Sequence, residues 1–119
     1  MEKVRKIRHK DKEVLVVDFS DCRGEKMIEL FDRAKLLMLT ENKHFVILNI
    51  FNNKTFIPPN FIRHIEQNIG GVDELIDKQA IIGLSTIQEW ILKGMNLWYH
   101  KTIKNFDSLD KALDYLTID

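Results

Sequence analysis

Glu13-Val14-Leu15-Val16-Val17-Asp18-Phe19 is the stretch on which the fold turns. A strand with one face in water alternates apolar and polar residues, whereas a strand buried on both faces is apolar throughout. The unbroken run Val14 to Val17, rich in β-branched residues, therefore predicts an interior strand of the kind parallel sheets contain. Working outward, His44-Phe45-Val46-Ile47-Leu48-Asn49-Ile50-Phe51 and Gln79-Ala80-Ile81-Ile82-Gly83-Leu84 repeat the pattern, and Thr102-Ile103-Lys104-Asn105-Phe106 is a shorter version. Ahead of them, Val4, Lys6 and Arg8 alternate with Arg5, Ile7 and His9 in a mostly polar strand, with Lys10-Asp11-Lys12 as its turn.

Helical periodicity fills the gaps. From Glu25 to Glu41, Met27, Leu30, Phe31, Ala34, Leu37 and Met38 share one face, and Asn42-Lys43 closes the helix. Pro58-Pro59 opens the next, where a missing N–H costs nothing. Phe61, Ile62, Ile65 and Ile69 carry it, Gly70-Gly71 ends it with residues free to take positive φ, and Val72 to Asp77 reads as an extra turn or linker. Ser85-Thr86-Ile87-Gln88 is a capping box for a third helix. Asp107 is the expected cap of the last, in which Leu109, Ala112, Leu113 and Leu116 face inward. The expectation is an α/β fold: an N-terminal edge hairpin strand plus four strand–helix units, forming a mainly parallel sheet with helices packed on it.

With 119 residues, 45% hydrophobic and 30% charged, the chain suits one domain, residues 1–119. No run of 18 apolar residues exists to span a bilayer, and no apolar signal segment follows Met1. Cys22 is the single cysteine, so no internal disulfide forms and a cytoplasmic location is expected. The 18 basic and 18 acidic groups balance, but residues 1–60 are net +3 and residues 61–119 net −3. The basic residues 1–12 read either as a phosphate-binding patch or as a charged edge that resists strand-to-strand aggregation. Without interleaved aromatics for base stacking, the second reading is preferred and no nucleic-acid partner is expected.

The succession EVLVVDFSDC, HFVILNIFNN, QAIIGLSTIQEWILKGMN and TIKNFDSLDKALDYL resembles the STAS superfamily, specifically its SpoIIAA-like (STAS/SEC14-like) branch. Ala80-Ile81-Ile82-Gly83 leading into an amphipathic helix, a short strand ending at Phe106, and the final Ala112-Leu113-Asp114-Tyr115-Leu116 carry the likeness over about residues 4–118. The resemblance implies a small non-enzymatic domain that docks on a regulatory kinase or another protein. It also implies release through a phosphorylated Ser in an Asp-Ser-Ser-Gly-type loop. This chain reads Asn52-Asn53-Lys54-Thr55-Phe56-Ile57-Pro58-Pro59 there, and Thr55 does not match that motif, so the phosphoswitch is not carried over.

Ligands of parallel α/β sheets collect at the carboxyl ends of the strands, beside helix N-termini with free N–H groups. Asp18, Ser20, Asn52, Asn53, Lys54, Thr55, Ser85 and Thr86 fall there, able to hold an anion or a partner's carboxylate, or serving only as caps and turn residues. Ile28, Leu36 and Leu39 lie off the core stripe of the first helix. In the third, Leu92, Met95, Trp98 and Tyr99 read either as the wall of an interface or an apolar pocket, a homodimer being the simplest product of such a patch, or, like the residues off the stripe of the first helix, as part of a broadly buried helix covered by a neighbour. Cys22 beside Arg23 and ahead of a helix has two features that lower a thiol pKa, yet no base nearby, and reads as an inert loop residue.

His9, His44, His64 and His100 lack metal-ligand spacing, and the glycines form no phosphate-binding motif; no cofactor or metal is expected. The preferred reading is a regulatory or protein-interaction module rather than an enzyme. The alternative is a small carrier or sensor of an amphipathic ligand, and the third a small hydrolase or transferase acting through the loop cluster.

Overall fold

A computed structural model describes residues 2–86, 88, 89, 93 and 103–118. Strands β1 (Val4–His9) and β2 (Lys12–Asp18) form an antiparallel hairpin. Its two-residue turn, Lys10 and Asp11, has positive φ at both positions, the conformation that matches the right-handed twist of the flanking strands. Lys12 belongs to β2 rather than to the turn. Helix α1 (Glu25–Glu41) follows and ends as expected: Asn42 takes the left-handed conformation, and its N–H closes on the carbonyl of Met38 at 2.8 Å. Next come β3 (Phe45–Ile50), α2 (Pro59–Asn68), two 3-10 turns at Ile69–Gly71 and Asp73–Leu75, and β4 (Ile76–Ile82). Strand β5 (Ile103–Phe106) and helix α3 (Leu109–Thr117) finish the described chain.

The five strands lie side by side in chain order, β2 to β5 all parallel. Alternation along β2 and β3 sends Leu15, Val17 and Ile47 to one face, where Met27, Leu30 and Ala34 of α1 and Phe61 and Ile65 of α2 pack on them. Val14, Val16, Leu48 and Ala80 point the other way and are covered by Ala112, Leu113 and Leu116 of α3. Hence the unbroken run in β2: Val14 through Val17 are all 3% exposed or less because each face has its own helical cover. Ala80 and Ala112, both fully buried, belong to this second cluster. No described helix is long and apolar enough to cross a membrane.

Four local expectations are corrected. Ser108, not Asp107, caps α3, its hydroxyl accepting from the Lys111 N–H at 3.2 Å; Asp107 instead pairs with the Lys111 ammonium one turn on. Leu109, expected to face inward, is 46% exposed; it is the first residue of α3, ahead of the buried Ala112, Leu113 and Leu116. β4 begins at Ile76 instead of Gln79, because Asp77 bonds His44 across the strands and Lys78 caps the carbonyls of Tyr115 and Ile118. Gly70 and Gly71 close α2 as a 3-10 turn without positive φ.

Candidate functional site

The carboxyl ends of β2, β3 and β4 present three loops, and side chains lace them together. Asn52 and Asp21 bond reciprocally: Asn52 Nδ2 donates to Asp21 Oδ1 at 2.9 Å, and the Asp21 N–H donates to Asn52 Oδ1 at 3.0 Å. Asn52 Oδ1 also accepts from the Lys54 N–H at 3.0 Å, an Asx turn that shapes the β3–α2 loop. The Thr55 hydroxyl donates to the carbonyl of Phe19 at 2.7 Å and accepts from the Asn52 N–H at 3.2 Å. The N–H of Phe56 bonds the carbonyl of Cys22 at 3.0 Å.

The third loop joins through Gln88. The capping box forms as read: Ser85 Oγ accepts from the Gln88 N–H at 3.2 Å, and the Ser85 N–H donates to Gln88 Oε1 at 2.8 Å. The remaining Gln88 amide hydrogens reach the carbonyl of Thr55 at 3.0 Å. The approach depends on Gly83, whose φ is +84°; a Cβ there would sit 1.8 Å from the Phe51 carbonyl oxygen.

Asp18 and Ser20 stand apart from this lattice, toward β1. The Asp18 carboxylate accepts the Ser20 N–H at 3.0 Å and hydroxyl at 2.5 Å, with Arg5 at 3.6 Å, while Lys3 Nζ bonds the Ser20 carbonyl at 3.1 Å. Burial pushes its pKa up, but the Ser20 hydrogen bonds and the charges of Lys3 and Arg5 outweigh burial and hold the carboxyl below the usual aspartate range. Cys22 fits the reading of an inert residue, and the two sequence features that lower a thiol pKa do not prevail. It is 5% exposed, and desolvation raises its thiol pKa despite nearby Lys3 and Lys26. Arg23 does not counter this, because the thiol faces the core.

Of the eight loop residues singled out in the sequence, Asn52 and Thr55 are joined directly and Ser85 through Gln88. Asn53, Lys54 and Thr86 are exposed on the rim. Thr55 is 7% exposed and its hydroxyl is spent on Phe19, which leaves it poorly placed as a nucleophile or phosphate acceptor. Among the described residues no buried side-chain nitrogen or oxygen lacks a partner, and no three His, Cys, Asp or Glu side chains cluster as a metal site. The same loop holds Phe56 outward, 54% exposed, beside buried Thr55.

Beneath the same edge lies a cavity of about 80 Å³ between α2 and the sheet, walled by Phe19, Phe51, Phe61 and Ile81. Two amides project into this apolar space, Asn49 Nδ2 donating to Gln79 Oε1 at 3.1 Å and to the Ala80 carbonyl at 3.4 Å. Sequence reasoning passed over both. Their signal was present as polar residues on the core-facing positions of two strands otherwise apolar on that face. Leu92, Met95, Trp98 and Tyr99, the expected wall of an interface or pocket, lie outside the described residues.

No family model matches the sequence, and no curated protein matches it. Among solved structures the chain is similar to an uncharacterised protein of the DUF3478 family with a SpoIIAA-like fold from Shewanella loihica PV-4. The TM-score is 0.69 at 16% identity, over 95% of this chain and 91% of that one. The edge hairpin, the parallel strands in chain order and the helical cover on both faces agree with that comparison: the chain has the SpoIIAA-like fold.

Proposed function

We propose that this protein is a non-enzymatic interaction module of the cytoplasm, meeting a protein partner at the carboxyl edge of its sheet. One observation carries the reading: Asp21, Asn52, Thr55 and Gln88, at the edge where α/β domains concentrate chemistry, are consumed in bonding the loops to one another, and the loop they fix holds Phe56 in water. An aromatic on a pre-ordered loop binds without the entropic cost of ordering it, which is how interface hot spots work. Lys54 and Arg23, both exposed, flank it with positive charge and favour a partner surface that is apolar with an acidic rim. The test compares capture from the source cell by wild type and by Phe56→Ser at matched stability. The reading expects one partner to be retained by the first and lost by the second; identical capture by both contradicts it.

The Asn49–Gln79 pair favours a second reading, a carrier or sensor of a small amphipathic ligand. An apolar space with a few converging polar groups is the common form of a ligand site. Against it stands the volume, about 80 Å³, where such sites usually offer roughly 300 Å³ or more. Native mass spectrometry of protein from its own cell tests this: a co-purified small molecule lost in Gln79→Leu supports it, and bare protein rejects it.

A further inference from the structure

Strands β3 and β4 turn Asn49 and Gln79 toward α2, on the face where Ile47, Phe51 and Ile81 are apolar, while Leu48 and Ala80 beside them face α3. A polar side chain set in such a layer costs stability unless its hydrogen bonds are met. These two meet only part of theirs. Asn49 Nδ2 donates to Gln79 Oε1 at 3.1 Å and to the Ala80 carbonyl at 3.4 Å. A carbonyl accepts only from a donor, so Ala80 fixes which end of the Asn49 amide is nitrogen, and Asn49 in turn fixes Gln79. That leaves Asn49 Oδ1, an acceptor, and Gln79 Nε2, a donor, without a partner among the described residues. Every buried side-chain nitrogen or oxygen there has a partner, so these two atoms are reachable from outside rather than sealed in. The third amide on the cavity wall, Gln88, is already spent on Ser85 and Thr55.

We propose that this cavity binds a small neutral amide, a molecule carrying an N–H donor and a carbonyl acceptor side by side, such as a primary carboxamide or a urea. Its N–H meets Asn49 Oδ1 and its carbonyl meets Gln79 Nε2. Neutrality follows from the walls. No described lining residue is charged, and an ion there would lose its water without gaining a counter-charge. Size follows from the volume of about 80 Å³. An apolar cavity of about 150 Å³ takes a benzene, so this one takes a smaller body, of about four non-hydrogen atoms. The rings of Phe19, Phe51 and Phe61, already packed on one another, supply apolar contact for the rest of the molecule. The inference rests on the ligand-site reading of this cavity and narrows its occupant: the volume that tells against a larger amphipathic ligand suits this one. It stands or falls independently of the Phe56 edge.

The test titrates acetamide, acetone and acetate, which share one shape, into the isotope-labelled full chain and follows the side-chain amide signals of Asn49 and Gln79 by two-dimensional NMR. The proposal expects a saturable shift of the Gln79 signal with acetamide, at a Kd on the order of a millimolar. It expects affinity at least about tenfold lower for acetone, which lacks the donor, and no binding of acetate, which is charged. Gln79→Leu should lose at least about tenfold in acetamide affinity with its circular dichroism spectrum unchanged. Should that variant not fold, the three probes on the wild type still decide. Acetamide that fails to saturate by roughly 0.1 M overturns the proposal, as does acetone or acetate binding equally well. Xenon separates this failure from that of the underlying reading. Xenon-induced shifts at Ile65 and Ile81 without acetamide binding reject the amide and keep an apolar ligand site; entry of neither probe rejects both.

Discussion

The Thr55 hydroxyl donates to the Phe19 carbonyl at 2.7 Å, bridging the ends of two parallel strands through a side chain that is 7% exposed. The bond replaces a backbone ladder that cannot continue once both chains leave the sheet, and it seats the loop that carries Phe56. Thr55→Val keeps the shape and removes the donor, leaving the Phe19 carbonyl and the Asn52 N–H without this partner. A loss of about 1–3 kcal/mol in urea unfolding is expected. An unchanged midpoint would mean that the loop does not depend on this bond.

Gly83→Ala is expected to be more damaging. A methyl group there overlaps the Phe51 carbonyl oxygen and forces an unfavourable positive φ on a non-glycine residue. Backbone strain alone costs of order 1–3 kcal/mol, and displacing β3 from β4 adds to it. Thermal unfolding should show a large drop in Tm; a wild-type Tm would show that the strand ends are farther apart than this geometry has them.

Acid should weaken the Asp18 anchor. Its folded pKa lies below the ordinary aspartate value, so the ionised carboxylate stabilises the fold above the unfolded pKa, and that stability is lost as pH falls through the folded value. Asp18→Asn should therefore be less stable than wild type near neutrality, with the gap closing as pH drops through the carboxylate range. A gap that widens in acid would reverse the assigned direction.

Cys22 should resist modification. A thiol 5% exposed with a raised pKa reacts slowly with iodoacetamide near neutral pH, and labelling should track global unfolding in denaturant. Rapid labelling of native protein would restore the reactive environment that its neighbours in sequence suggest.

Much of the fold was legible because burial writes itself into periodicity. α1 was readable end to end, from its 3.6-residue stripe to its close at Asn42, and the capping box at Ser85 formed as spelled. The start of β4 was hidden because Asp77 and Lys78 are paired by tertiary contacts with His44 and α3, which no local pattern announces. Ser108 and Asp107 are both good caps by type, and only the path of the chain leaving β5 chooses between them. At the site, residue types placed Asn52, Thr55 and Ser85 at the carboxyl edge of the sheet, where the structure has them. That Thr55 is buried, that Gln88 closes the third loop, and that Asn49 meets Gln79 across two strands were set by register between distant segments.

The most direct test of the interaction-module reading places a photoreactive amino acid at position 56 in the source cell, with the same group at exposed position 66 on α2 as control. The account predicts one dominant protein adduct from position 56 that is absent from position 66. Matching adduct patterns from the two positions, or none from position 56, would contradict it.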